Sequence, residues 1–503
     1  MLLNKEILIG IYDYTPANII WTGLGSNNNW STNANWNLKA PVPYDILQFA
    51  GTTRLTPFNN LTIDTPYNGI TFNAGAAGFQ LNGNRFVLNS DSITNNSSNI
   101  QQINADIVLG SNAGSINCNT ANILLRGNIS GSVNLTKLGA QTLSLSGNNS
   151  YTGNTYVSAG IISILNNNAL GTGSVYCSSG SGAISVSVNA APINTVINNP
   201  IFIDGQRPGS GSTIQANKSA TFNGLIAVGP LSSTVNRLNV QNGAIMTING
   251  GVSGLPTMNT IMVMNGTGTY ILSSIPIIFD NLGATAIYCD TGNETVIIAV
   301  SGNKFQAVRP SNLRTDVPFA INNDSVLLGT SNRPARVNLN GNDQIFKNIQ
   351  TASQSSTLSQ ISANNIFNDS STFANLTTNN VSNTTYTGSI SGNINLIKTG
   401  TSTLTLSGST ALGVGPRYTG FTAISAGTLT NYALSSNPSN KVNFASFTNT
   451  ALTVDFLTPP TIGNSFVLLP GITINSYPAI TLTNAGGRTG SYNSSTSTLS
   501  ITS

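Results

Sequence analysis

Histidine is absent from the 503 residues and charge of either sign is scarce, at 7% of the chain against about 25% in an ordinary soluble domain. Without histidine the chain lacks the commonest general base and the commonest zinc ligand. Neither a D-x-D-x-D-G loop nor a G-G-x-G-x-D series offers calcium a site, so no metal or cofactor is expected. Three cysteines, Cys118, Cys177 and Cys289, are too few and too far apart for a disulfide framework. Each is expected in an apolar row as a small hydrophobe. Apolar runs stop at about five to seven residues where a spanning helix needs roughly 20, so no membrane insertion is expected. The net charge of +4 is dispersed. Between Lys304 and Lys347 six basic residues face three acidic ones, which excludes a nucleic-acid footprint.

Small polar residues fill the space that charge leaves. Asn alone supplies about 70 positions, roughly one in seven, beside 49 Gly and abundant Ser and Thr. Such residues are poor helix formers whose side chains compete for backbone hydrogen bonds, so long helices are excluded. Three- to five-residue apolar strands recur instead, each closed by Asn, Gly or Ser. Leu61-Thr-Ile-Asp64, Ile70-Thr-Phe-Asn73, Phe86-Val-Leu-Asn89 and Ile107-Val-Leu-Gly110 are examples. Their spacing is too short for βαβ crossovers and predicts an all-β chain. A solenoid in which each coil buries its apolar side against the next suits this length and monotony. Asn at the turns of a parallel β-helix would stack into hydrogen-bonded ladders, reconciling much Asn with little charge. Tandem β-sandwich domains are the alternative fold.

The sequence also repeats itself. Residues 127 to 165 read GNISGSVNLTKLGAQTLSLSGNNSYTGNTYVSAGIISIL, and residues 388 to 430 read GSISGNINLIKTGTSTLTLSGSTALGVGPRYTGFTAISAGTLT. Lys137, Gly139, Leu143 and Gly147 match Lys398, Gly400, Leu404 and Gly408. After a six-residue insertion in the second copy, Tyr151 matches Tyr418 and Gly160 matches Gly427. Physically this is a pair of successive coils: Leu143 and Leu145 alternate inward, Gly147 turns the chain and Tyr151 caps a corner. Gly160 supplies a turn with positive φ. The pattern K-x-G-x-x-T-L-x-L-S-G…Y-T-G-x-T-x-x-S-A-G-x-L resembles the autotransporter-associated β-strand repeat, also called the passenger-associated transport repeat. Leu138, Ile161-Ile162 and the Ala411-to-Arg417 segment that holds the insertion depart from it. The front of the chain is similar to the segment that precedes such repeats, through Trp21-Thr-Gly, Asn29-Trp30-Ser31, Ala34-Asn35-Trp36, Pro43, Asp45 and Phe49-Ala50-Gly51. The resemblance implies a right-handed parallel β-helix displayed outside a cell, and no catalytic residues.

Three regions follow. Residues 1–50 hold an apolar arm, Ile7 to Tyr14, and all three tryptophans, Trp21, Trp30 and Trp36. These rings either plug the open end of the solenoid or contact carbohydrate. Residues 51–435 are expected to form the β-helix, interrupted near 190 to 350 where the repeat pattern fades. Residues 436–503 form a small C-terminal β domain, a cap or an oligomerisation element using Phe444, Phe447, Phe456 and Phe466; a homotrimer is expected. The acidic cluster Asp280, Asp290 and Glu294, beside Cys289, reads either as turn residues or as the carboxylate pair of a glycan hydrolase. The cluster Arg309, Arg314, Arg333 and Arg336 reads as solvated turns, or as a docking patch for acidic glycan or a neighbouring subunit. With residue 1 as the start, neither an export signal nor a membrane barrel accompanies the repeats. The expectation is therefore a non-enzymatic structural protein on a bacteriophage virion, a tail fibre, spike or capsid fibre. Its expected partners are other virion proteins and host surface glycan. The alternatives are a bacterial cell-surface adhesin passenger and a tailspike depolymerase.

Overall fold

A computed structural model describes residues 15–90, 92–111, 114–178, 184–189, 195–204, 212–228, 236–254, 261–273, 277–278, 286–289, 295–298, 307–309, 312–315, 322–328, 336–351, 364–406, 417–432, 442–448, 451–456, 459–467, 472–473, 479–493 and 498–503. The Ile7-to-Tyr14 arm lies outside them. The chain divides into two units, residues 1–174 and 175–503. Each is wound from short strands paired almost entirely in parallel, the architecture of the right-handed parallel β-helix. Parallel ladders of this length exclude tandem sandwiches, whose sheets are antiparallel. No α-helix occurs among the described residues.

In the first unit the coils feed three sheets, and four of the coils supply a strand to each. One sheet runs Asn18–Trp21, Ile46–Phe49, Gly69–Phe72, Ser92–Asn95, Ser115–Cys118, Leu135–Leu138 and Thr155–Val157. Alternation turns every second side chain inward. Register then stacks like on like, giving one interior column of Leu47, Ile70, Ile93, Ile116, Lys137 and Val157. Apart from the lysine its members are aliphatic, and burying each one fully is worth about 1.5–3 kcal/mol. The exposed edge of Asn18–Trp21 is covered, because Trp36 bridges Trp21 and Asn37 bonds Ile20 through both its backbone and its side chain. Covering that edge removes a template for aggregation.

The second unit keeps parallel pairing through the stretch where the fading repeat pattern predicts an interruption. Strands Thr195–Ile197, Ala220–Phe222, Ile245–Ile248, Thr269–Leu272, Thr295–Ile298, Asn312–Thr315, Arg336–Asn338, Asn365–Asn368 and Ser389–Gly392 form one continuous parallel ladder. Alternating apolar residues sustain it without any motif. The parallel order is broken at Thr428–Tyr432, which pairs antiparallel with Val442–Phe447, itself antiparallel to Ala451–Phe456, whereas Ala451–Phe456 pairs parallel with Ala479–Thr483. A separate antiparallel sheet joins Ser465–Val467, Gly490–Asn493 and Thr498–Ile501. Phe456 and Phe466 are buried with ring centroids 5.4 Å apart. Those two rings therefore pack against each other within the end region. The side chains of Phe444 and Phe447 lie outside the described residues.

Asparagine ladders run along the corners, as the composition predicts. Asn89 Nδ2 donates to Asn68 Oδ1 at 3.1 Å, Asn104 to Asn82 at 2.7 Å and Asn168 to Asn148 at 2.7 Å. In the second unit Asn249 donates to Asn223 at 2.9 Å and Asn223 to Asn198 at 2.8 Å. Each link joins one coil to the next without any charge.

Candidate functional site

The matched repeat segments build the same corner twice. In Leu135–Leu138 the spacing of two places both Leu135 and Lys137 on the inward face, and Lys137 is fully buried between Ile116 and Val157. Its Nζ donates to the carbonyls of Leu138 at 2.7 Å, Gly139 at 2.7 Å and Ala159 at 3.0 Å, tying its own turn to that of the next coil. Lys398, also fully buried, donates to Gly400 and to Ala426, the latter at 3.4 Å. Tyr151 and Tyr418 fill the corner, and each hydroxyl bonds the threonine four residues on, Thr155 at 2.7 Å and Thr422. Leu143 and Leu404 are interior. Gly160 and Gly427 have φ of +66° and +68°, the left-handed turn predicted for them. Gly139 is also left-handed, at φ +74°, and at both Gly139 and Gly400 a Cβ would run into the backbone carbonyl of Cys118 or Asn380 in the preceding coil. Gly147 likewise abuts Gly127 O, whereas Gly408 and residues 411–416 of the insertion lie outside the described residues.

The surroundings of the two lysines differ. Lys137 neighbours Ile116 and the buried thiol of Cys118, while Lys398 pairs with Thr378 and Ile424. Burial pushes both ammonium groups down, to about 8, with Cys118 opposing the shift at Lys137. Between that value and the ordinary lysine value of 10.5 the unfolded chain holds protons that the folded chain has released, so stability rises with pH across this window. Cys118, pushed up to about 11 by burial, acts oppositely, because the unfolded thiol ionises first. A Lys137→Met/Lys398→Met chain isolates the lysine contribution. The stability of the natural chain minus that of the variant, from urea titrations, should grow from pH 8 toward the upper end of the window. A flat difference would show that the amines titrate normally.

The tryptophans form the other ordered cluster. Trp21, Trp30 and Trp36 are all buried. Trp36 meets Trp21 edge-on at 5.1 Å and Trp30 at 6.0 Å, and Trp30 also reaches Phe49, Tyr67 and Phe86. Their faces are taken by one another, so a plug and not a carbohydrate platform is what the rings make. Two polar residues that sequence reasoning gave no role organise this end. Buried Asn35 donates from Nδ2 to Asn27 O and Asn29 O and accepts Gly25 N–H on Oδ1. Buried Asp45 accepts Ala17 N–H at 3.1 Å and Val42 N–H at 2.9 Å. Their signal was a polar residue set among Trp and Pro, where most buried polar groups are hydrogen-bonded.

The four arginines grouped by sequence are described only in part. Arg314 and Arg336 lie in adjacent strands of one sheet, with Arg314 opposite Asn338, whereas Arg309 belongs to a different sheet. Arg336 stacks over Phe367 at 5.0 Å. Arg333 lies outside the described residues, as do Asp280, Asp290 and Glu294; of Cys289 only the strand position is described. Cys118 and Cys177 are buried as predicted. Every carboxylate whose side chain is described serves the scaffold. Besides Asp45, Asp64 forms a two-pronged pair with Arg85 at 2.6 and 2.7 Å. Asp106 accepts Asn128 N–H at 2.6 Å, Asp343 accepts both amide groups of Asn375, and Asp369 accepts from Asn338. No cluster of three or more metal-ligating side chains occurs among the described residues.

The family of the passenger-associated transport repeat matches residues 135–164 and 396–430, the two segments that carry these corners. No curated protein and no solved structure matches the chain.

Proposed function

We propose that the chain is a surface-displayed, non-catalytic β-solenoid of the autotransporter-passenger type, which carries adhesive contact away from a bacterial cell. The observation that supports this reading most is the duplicated corner. Both transport-repeat matches fall on the same arrangement of buried lysine, tyrosine–threonine pair and left-handed glycine. The scaffold roles of the described carboxylates support a display protein over a depolymerase, since glycoside hydrolysis needs two carboxyls facing one bond. Low charge suits the same role, because stability resting on parallel ladders and amide stacking is little affected by salt.

Antibodies raised against the chain should label intact cells of its source. The purified chain should release no reducing ends from surface polysaccharide. Label confined to lysed cells, or sedimenting with phage particles, overturns the cell-surface reading, the latter in favour of a virion fibre. Released sugar overturns the non-catalytic one.

A further inference from the structure

Seven Asn-Gly steps occur in the chain. Glycine puts no side chain beside its amide nitrogen, so that nitrogen can reach the carbonyl carbon of the preceding Asn side chain unless the structure holds the two apart. At most of these steps it does. Asn68 and Asn82 accept from Asn89 and Asn104 in the next coil. Asn223 donates to Asn198 at 2.8 Å and accepts from Asn249 at 2.9 Å, and Asn249 in turn accepts from the Ser273 hydroxyl. At Asn340 the glycine is engaged, since Gly341 N–H donates to Asn368 Oδ1 at 2.8 Å. Asn265 stands in the strand Ile261–Gly266, its backbone paired with that of Asn239.

Asn242 is the exception. It occupies the second position of the turn Gln241–Ala244, closed by Ala244 N–H to Gln241 O at 3.0 Å, with Gly243 third at φ +77°. This is type II turn geometry. The Asn242 side chain is exposed and has no hydrogen-bond partner among the described residues, and the space around Gly243 is open. Solvent access does not set it apart, because Asn223 and Asn249 are exposed as well. Membership of a ladder does.

We infer that Asn242–Gly243 is a modification site, where the side-chain amide is lost by spontaneous deamidation while the ladder-held Asn223 and Asn249 persist. The Gly243 nitrogen gives its proton to solvent base and bonds to Asn242 Cγ. The Cγ–Nδ2 bond breaks and ammonia leaves with a proton from water. Water then opens the five-membered imide at either carbonyl, leaving aspartate or isoaspartate. No oxidant or reductant takes part, and the turn gains one negative charge.

The test incubates the full-length chain in mildly alkaline buffer and maps the Asn-to-Asp mass gain by peptide mass spectrometry. Asn242 should convert about tenfold or more faster than Asn223 or Asn249, since reaction at either of those first breaks two side-chain hydrogen bonds. In urea the three rates should converge. In the folded Asn198→Ala chain, which keeps the native circular dichroism, conversion at Asn223 should rise. An unreacted Asn242, equal rates in the folded chain, a hierarchy that survives urea, or an unmoved Asn223 in the variant would each overturn the inference.

Discussion

Trp30→Ala should lower the stability of the first unit by about 3–5 kcal/mol. Trp30 is the hub of the plug: its ring lies 6.0 Å from Trp36, 6.0 Å from Phe49, 5.7 Å from Tyr67 and 6.4 Å from Phe86. It thus joins strands of two different sheets across the end of the interior. Truncation leaves a cavity that these rings cannot close, because each is held by a strand. The damage should stay local, since a solenoid coil contacts only its neighbours. Hydrogen exchange should show amides near Leu47 and Tyr67 losing protection while those around Leu143 keep theirs. Uniform loss throughout, or a change below about 1 kcal/mol, would remove the plug from its sealing role.

Valine at Gly160 or Gly427 should cost about 3 kcal/mol or more, combining backbone strain with a collision. At Gly160 an added Cβ would sit 2.6 Å from both Gly139 O and Gln141 O, and at Gly427 it would sit 2.6 Å from Ser402 O and press on Gly400 O. Those carbonyls belong to the corner that the buried lysine holds, so they cannot retreat freely. Gly463 is the control, with φ of +86° and nothing within 4 Å of an added Cβ. Valine there carries only the cost of the left-handed conformation. Thermal melts of the three variants separate the two contributions, and equal losses at all three would show that the collision plays no part.

Much of this was legible in the sequence because its causes are local. Thr142-Leu-Ser-Leu145 alternates, and in the structure it buries Leu143 and Leu145 and half-exposes their neighbours. Gly160 and Gly427 follow Ser-Ala where a turn must reverse the chain. The buried lysines were singled out for matching each other, not for burial, because an isolated Lys in a polar run reads as solvated. The spacing of two from Leu135 to Lys137 was the available clue. Their carbonyl partners follow from coil register, which no local pattern displays. Register also separates two of the arginines: Arg309 and Arg314 are five residues apart in sequence, yet their strands belong to different sheets. The three tryptophans announced a special end, but only ring packing could distinguish a plug from a glycan platform.

The asparagine ladders have a direction as well as a length. In each link described above, the later coil donates and the earlier coil accepts, so the amide dipoles add head to tail along a ladder. Partial positive charge therefore collects at the end with the lower residue numbers, as at the N-terminus of a helix. Two ladders meet a carboxylate there. Asn168 donates from its side chain to Asn148 Oδ1, the Asn148 backbone N–H donates to Asn128 Oδ1, and the Asn128 backbone N–H donates to Asp106. Asn395 donates to Asn375, which donates twice to Asp343. In a chain with so few acids, two stand as electrostatic caps on stacks of neutral amides. An aspartate at the opposite end of either ladder would face oxygen instead of N–H, so the same residue would stabilise one end and repel at the other.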